Sequence, residues 1–425
     1  MIWPGAQNAG PDFFVTPPVE SANSTLAHQA IETREQNMQV IDGIPVWGEP
    51  VLDGALQQIK NVARSAEKVA LVADHHVGYS MPIGGVAAYR EHISPSGVGY
   101  DIACGNKAVL TDMKGRELRR QIHRIMEDLW KKISFGVGRS NQESVEHEVL
   151  EDPLWKHPFL KPKRDSAANQ LGTVGSGNHY VDLFTDEEDR VWIGVHFGSR
   201  GLGHYVAKSY LELAGGKDSM DADPTLLHVN SAIGEDYLVF MELAGRYAYA
   251  GRDWVCGRVC RLLGAKVLDE VHNHHNFAWR ERHGDADYWV VRKGATPAFP
   301  GQRGFIGGSM GDISVIVEGV ENDLASHSLY STVHGAGRVL SRSQAAGKRR
   351  GNKRQGGEVS EHMMTRWLED AGVILRGGGV DESPHCYKRL PEVLAQHAET
   401  IKILHTLKPV GVAMAGSDTI DPFKD

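Results

Sequence analysis

In the stretch Gly97-Val98-Gly99-Tyr100-Asp101-Ile102-Ala103-Cys104-Gly105, a carboxylate and a thiol stand three residues apart between glycines. Glycine lets the backbone pass close to a bound group and take dihedrals closed to other residues. Asp101 and Cys104 are therefore a candidate pair of metal ligands on a tight turn. A hard carboxylate beside a soft thiolate suits zinc, manganese or iron and selects none of them. Taken alone, the stretch is better read as a small buried hydrophobe beside a turn aspartate. The missing donors must come from elsewhere. Leu171-Gly172-Thr173-Val174-Gly175-Ser176-Gly177-Asn178-His179 has glycines that allow backbone N–H groups to converge on an anion, and it ends in Asn178-His179. His196 lies near the end of an apolar run, ahead of Gly198-Ser199-Arg200-Gly201. His275 falls in Val271-His272-Asn273-His274-His275-Asn276, a run that packing rarely explains because each buried polar group needs a partner. Three histidines, a thiolate and a carboxylate would fill two adjacent metal positions, with the thiolate as a bridge. Two metals are suited to clamping phosphate oxygens. Spacing alone does not show that these groups meet.

The elements that must position them are legible from periodicity. Residues 54–68 have helical spacing, with Leu56, Ile59, Ala63 and Ala66 on one face. Residues 69–73 read as a buried strand running into an Asp74-His75-His76-Val77-Gly78 loop. Residues 117–133 form an amphipathic helix with Leu118, Ile122, Ile125, Met126 and Leu129 as its stripe. Residues 134–170 read as irregular, with a basic cluster at Lys161, Lys163 and Arg164. A strand is expected at 191–197, a helix start after Gly198 and a long core helix over 236–263. A short strand over 289–291 follows, with helices at 358–370 and 392–406 and a closing strand at 409–413. Loops at Arg292-Lys293-Gly294-Ala295-Thr296 and Gly307-Gly308-Ser309-Met310-Gly311 offer donors, and Ser309 and Ser314 can bond a phosphate or a base. The last such loop is Ser331-Thr332-Val333-His334-Gly335-Ala336-Gly337-Arg338. A basic run follows it: Arg338, Arg342, Lys348, Arg349, Arg350, Lys353 and Arg354. Such runs are often only solvated faces. After a His-Gly loop this one is a candidate phosphate-backbone contact.

The 425 residues are 41% hydrophobic and 24% charged, which is ordinary for a globular protein. No apolar run is long enough to span a bilayer, and the N-terminus lacks a signal-peptide pattern. Residues 1–40, rich in Pro, Gly, Asn and Ser, read as a loosely structured extension, and 41–425 as one catalytic domain. Four cysteines do not make a disulfide scaffold, so a reducing, cytoplasmic compartment is expected. Cys256 and Cys260 stand four apart on a helical pattern and read as core. The net charge of -8 argues against a nonspecific nucleic-acid coat.

As a set and in order, these motifs resemble the RtcB family of RNA-splicing and RNA-repair ligases, over nearly everything from Val46 onward. The motifs are Asp74-His75 with Pro82-Ile83-Gly84, Asp101-Ile102-Ala103-Cys104-Gly105, Gly175-Ser176-Gly177-Asn178-His179, His196-Phe197-Gly198-Ser199-Arg200-Gly201-Leu202-Gly203-His204, His275-Asn276, Arg292-Lys293-Gly294-Ala295-Thr296, Gly308-Ser309-Met310-Gly311 and His334-Gly335-Ala336-Gly337-Arg338. The resemblance implies a mixed α/β (α+β) fold, with central sheets surrounded by helices and a buried metal and nucleotide site. It implies joining of RNA 2′,3′-cyclic-phosphate or 3′-phosphate ends to 5′-hydroxyl ends, with GTP and two Mn2+ per site. By motif, Asp101, Cys104, His179, His196 and His275 match the metal ligands, and His334 the histidine that becomes guanylylated. Asn178, Ser309, Ser314, Gly335, Gly337, Arg338 and Tyr387 match the nucleotide pocket. Arg200 and Lys293 match basic residues near the phosphates, with Lys348, Arg349 and Arg350 added here as RNA contacts. The family implies RNA as partner, archease as a possible activator, and no membrane.

Three departures stand out. Met414-Ala415-Gly416 stands where the family typically ends in a Lys-Gly whose lysine reads guanine. Asp182 replaces a longer glutamate that also reads guanine. Gly251-Arg252 stands where Asn-Arg is frequent, and no function is read from it. The first two changes fall on base recognition, where an unpartnered edge costs affinity and discrimination. The expectation is an intact nucleotidyl-transfer machinery with weakened or differently supplied guanine selectivity. The alternatives are an RNA-end or nucleotide-binding paralogue and a metal-dependent cyclic phosphoesterase.

Overall fold

The computed structural model describes residues 37–217, 219–350 and 353–416. Most of the 1–40 stretch, residues 1–36, therefore lies outside the described residues, and its last residues enter a strand at Met38–Ile41. From Asn37 onward the chain forms one compact unit. Two mixed sheets organise it. The six-stranded sheet has the order Met38–Ile41, Ile44–Trp47, Lys68–His76, Ile83–Tyr89, Ala286–Lys293, Asn276–His283. The larger sheet runs Val267–His274, Gly105–Lys114, Arg190–Phe197, Tyr180–Thr185, Ile401–Gly416, Ser314–Gly319, Arg303–Ile306, with Ile374–Gly378 also pairing to Ile401–Gly416.

Burial on both faces explains the unbroken apolar runs. Ala70, Val72, Val86 and Val290 face one core, while Leu71, Ala87 and Val291 face another beside Ile59 and Val62 of the helix Asp53–Ala63. The stripe of the helix Gly115–Lys132 packs on Val181, Leu183, Ile193 and Val195 of the larger sheet. The helix Ala232–Leu263 adds Val255, Cys256, Val259 and Cys260 to the same core, as the cysteine spacing anticipates. Among the described residues, no helix is long and apolar enough to cross a membrane.

Several expectations about elements need correction. The helix expected over 54–68 ends at Ala63, and Asp74, His75 and His76 belong to the strand Lys68–His76, because pairing with Ile83–Tyr89 continues to His76. The polar run 271–276 is also mostly strand. Asn273 Oδ1 finds a partner in the sheet, accepting from Phe305 N at 2.9 Å. Lys161–Lys163 is a short turn, and Arg164–Gln170 a helix within the stretch read as irregular. The helix expected at 392–406 is only Leu390–Ala395. The 16-residue strand Ile401–Gly416 follows, held on both sides by neighbours. β-branched residues such as Ile401, Ile403, Thr406, Val410 and Val412 suit a paired strand, and the ladder overrides local helical spacing.

Candidate active site

Strand register brings the candidate ligands together. In the larger sheet Gly105 pairs with both Phe197 and His274, and His196 pairs with Asn106 and Tyr180. Cys104, His179, His196 and His275 therefore all lie at one end of four adjacent strands. His275 sits at the joint where the chain leaves Val267–His274 for Asn276–His283 in the other sheet. Cys104 Sγ lies 3.1 Å from His196 Nε2 and 3.7 Å from His179 Nε2. Asp101 Oδ2 is 3.0 Å from His179 Nε2, and the His275 ring centroid is 5.0 Å from that of His196. The loop between Asp101 and Cys104 is strained: Ala103 has φ 60°, a conformation costing a residue with a Cβ about 1–2 kcal/mol. Backbone hydrogen bonds to the 275–276 segment hold it there. Ala103 N donates to Asn276 O at 2.7 Å and His275 N to Cys104 O at 2.9 Å. Gly198 lies against the Asp101 carboxylate, where a Cβ would collide with it.

These donors fit a metal ion. Ligand atoms of Cys104, His179 and His196 lie within 4.8 Å of one another. His179 Nδ1 is 3.0 Å from Val174 O, and its Nε2 faces Cys104 Sγ and Asp101 Oδ2, where a metal would take the place of the Nε2 proton. His275 Nδ1 is buried with no hydrogen-bond partner among the described residues. Burial holds His196 and His275 well below the usual histidine range, so both rings are neutral, the form that binds metal. Burial pushes the Asp101 carboxyl up, but the His179 hydrogen bond outweighs it and brings it to about 2. Burial and the Asp101 charge push the Cys104 thiol well up; a metal cation reverses that by binding the thiolate.

His334 stands beside this cluster, its ring centroid 4.8 Å from that of His275. Its Nδ1 lies 2.6 Å from Asp74 Oδ2. The same oxygen accepts from His334 N at 3.0 Å and Gly335 N at 3.1 Å. Burial raises the Asp74 carboxyl, but the His334 charge and these hydrogen bonds together hold it below the usual carboxylate range. In the neutral ring, a carboxylate this close to Nδ1 favours the proton on that nitrogen and leaves the lone pair on Nε2. Gly337, φ 76°, runs so close to the Asp74 backbone that a Cβ would collide with it.

A cavity of about 460 Å³ opens over both features, a size suited to a nucleotide-scale ligand. Asp101, Cys104, His196, His275 and His334 line one part of it. Tyr180, Asp182, Met310 and Met414 line another, where the Tyr180 hydroxyl and Asp182 Oδ1 are buried without partners among the described residues. Burial pushes the Asp182 carboxyl well up. At a further wall Arg338 Nη1 donates to the Tyr387 hydroxyl at 2.8 Å, its guanidinium over the ring, and both it and Arg342 pair with buried Glu382.

The family model described as tRNA-splicing ligase RtcB matches residues 56–159 and 155–415. The chain belongs to the RtcB family. It is 31% identical over 405 residues to the RNA-splicing ligase RtcB of Escherichia coli strain K12, covering 86% of this chain and 96% of that protein. It is 30% identical over 447 residues to the tRNA-splicing ligase RtcB of Archaeoglobus fulgidus, covering 84% and 90%. The counterpart from Thermococcus kodakarensis is 30% identical over 449 residues, covering 85% and 91%.

The structure sorts the residues singled out by the RtcB resemblance. Asn178, Asp182, Ser309, Gly335, Gly337, Arg338 and Tyr387 line the cavity with Asp101, Cys104, His196, His275 and His334, while His179 is not part of the lining. Ser314 does not; its hydroxyl accepts from Gly308 N at 3.0 Å and so shapes the loop carrying Ser309. Arg200 turns its side chain to Thr173 Oγ1, 3.2 Å, and Gly136 O, 3.3 Å, bracing the loop ahead of His179. Lys293 Nζ is buried and donates to Tyr79 O at 2.7 Å, outside the cavity lining. Lys348 is exposed on the strand Lys348–Arg350, away from that lining; the side chains of Arg349 and Arg350 lie outside the described residues. Sequence reading assigned no role to Asp74 or Glu382, and placed Arg342 only in the basic run as a candidate phosphate-backbone contact. Asp74 had a signal, a carboxylate at the end of a buried apolar run. Glu382 had none.

Proposed function

We propose that this chain is an RNA ligase that joins 2′,3′-cyclic-phosphate or 3′-phosphate ends to 5′-hydroxyl ends, with GTP and Mn2+, through a guanylylated His334. The observation that carries this reading is the Asp74–His334 pair facing a cavity beside a Cys/His/Asp cluster. Asp101, Cys104, His179, His196 and His275 are the residues that would hold manganese, which supplies positive charge to phosphate oxygens as negative charge develops on them. Asp74 keeps the His334 proton on Nδ1, so Nε2 attacks the α-phosphorus of GTP while the bond to the β-phosphate oxygen breaks and pyrophosphate leaves. The RNA 3′-phosphate then takes the guanylyl group from His334, whose ring is restored. Attack by the 5′-hydroxyl forms the phosphodiester and releases GMP. A neutral imidazole suits this work because it is both nucleophile and leaving group near pH 7.

The test is nucleotidylation with manganese and each α-labelled nucleoside triphosphate, beside His334→Ala. An adduct that requires His334, labile to acid and stable to alkali, is expected. Absence of any adduct in metal-loaded protein would remove the ligase reading. The base wall favours a second statement, that guanine selectivity is weakened. Met414 presents a thioether there and Asp182 a buried carboxyl without a partner at Oδ1. Comparable adduct yields from GTP and ATP are expected; strict use of GTP would exclude it.

A further inference from the structure

Behind the metal cluster, on the side away from the cavity, lies Arg252 of the helix Ala232–Leu263. It is fully buried. Its Nη1 donates to Phe197 O at 2.6 Å and to Ala103 O at 3.0 Å. Its Nε and Nη2 reach His272 Nε2 at 2.8 Å and His274 Nδ1 at 2.9 Å. A guanidinium only donates, so both imidazole nitrogens must accept. That places the His274 proton on Nε2, so the 3.2 Å approach of its Nδ1 to Ala103 O is not a hydrogen bond. It places the His272 proton on Nδ1, which lies 3.4 Å from Asp253 Oδ1.

Three of these acceptors have one thing in common. Ala103 immediately precedes Cys104, Phe197 immediately follows His196, and His274 immediately precedes His275. One planar fork thus touches the chain neighbour of three candidate ligands drawn from three distant segments. The fork is also costly to keep. Among the described residues, no carboxylate pairs with Arg252, and a buried cation bonded only to neutral acceptors is a poor way to gain stability. Leucine or methionine would fill the same core more cheaply. Ala103, whose carbonyl it holds, is the residue in the left-handed conformation.

We propose that Arg252 is the positioning residue of the metal centre, fixing the Cys104, His196 and His275 segments relative to one another from behind. This rests on the metal reading of the cluster. It requires a guanidinium, since an ammonium cannot direct donors to four acceptors in a plane.

The experiment strips the protein with chelator and titrates it with cobalt(II), following the thiolate-to-cobalt charge-transfer band and the d–d bands. Arg252→Gln, Arg252→Lys and His274→Leu are compared with wild type, with circular dichroism and unfolding midpoints confirming the fold. Arg252→Gln should bind cobalt about ten- to a hundredfold more weakly, with shifted bands, and Arg252→Lys should fall between it and wild type. Wild-type affinity and bands in either folded Arg252 variant would overturn the proposal. Should Arg252→Gln not fold, Arg252→Lys and His274→Leu decide in the same way. Failure of all three to fold would overturn it by making Arg252 a support of the fold alone. If wild type itself gives no cobalt spectrum, the metal reading falls and this proposal with it. Cobalt binding by wild type with unaltered variants removes only the role of Arg252.

Discussion

Two buried polar groupings in this fold are built in opposite ways. Around Arg292 every prominent group is matched. Its guanidinium is fully buried and donates to Glu281 Oε1 and Oε2 at 2.6 and 3.0 Å, Ser331 Oγ at 2.8 Å and Leu329 O at 2.8 Å. His283 Nε2 lies 2.9 Å from Glu281 Oε2. In the cavity, by contrast, His275 Nδ1, the Tyr180 hydroxyl and Asp182 Oδ1 are buried with no partner among the described residues. A satisfied network rigidifies a fold. An unsatisfied one costs stability, about 1–3 kcal/mol for each orphaned group, and is kept where a ligand completes it. The first grouping has the build of a scaffold and the second that of a candidate binding site.

That contrast can be broken by substitution. The largest effect is expected at His334→Ala, which should abolish adduct formation while the protein still folds, because the backbone N–H groups of residues 334 and 335 go on serving Asp74. A large loss of stability there would make His334 part of the scaffold. Glu281→Gln should do the reverse, lowering stability by about 3 kcal/mol because Arg292 is left buried without its counter-charge. Adduct yield at low temperature should barely move.

The same glutamate gives a pH signature. Burial raises the Glu281 carboxyl, but Arg292 and His283 outweigh it and hold it below the usual range. A depressed carboxylate stabilises fully above its unfolded value of about 4.3, and that stability disappears as pH falls through the lower folded value. The gap in unfolding free energy between wild type and Glu281→Gln should therefore be widest near neutrality and close below about pH 4. A gap independent of pH would mean that the carboxylate charge is irrelevant. The smallest effect is expected at Tyr180→Phe. Removing an unpartnered hydroxyl should leave stability unchanged or raise it by up to about 1 kcal/mol, while weakening nucleotide binding about fivefold in a calorimetric titration. Unchanged affinity would take Tyr180 out of the binding wall.

Legibility in the sequence followed the range of the interactions. Amphipathic stripes such as Leu118–Leu129 report local burial, so the helix Gly115–Lys132 was readable to within two residues. The strand Ile401–Gly416 was not, because its partners Tyr180–Thr185 and Ser314–Gly319 lie far away in the chain. At the site, Asp101, Cys104 and the histidines carry chemistry in their side chains and announce themselves beside glycines. Glu382 and Arg252 do not, since their importance comes from what folding sets against them. Lys293 is a motif residue whose ammonium donates to the Tyr79 carbonyl, a placement that its residue type does not reveal.

One oxygen, Asp74 Oδ2, both anchors the backbone of the His334-Gly335 turn and faces the His334 ring. Docking of the turn and arming of the ring are therefore a single event. During synthesis, residue 74 is made long before residue 334, so for most of translation the chain carries a carboxylate with nothing to orient. If His334 is the proposed nucleophile, reactivity toward nucleotide would arrive only when the later segment closes onto the earlier strand, and a half-folded molecule would not consume nucleotide.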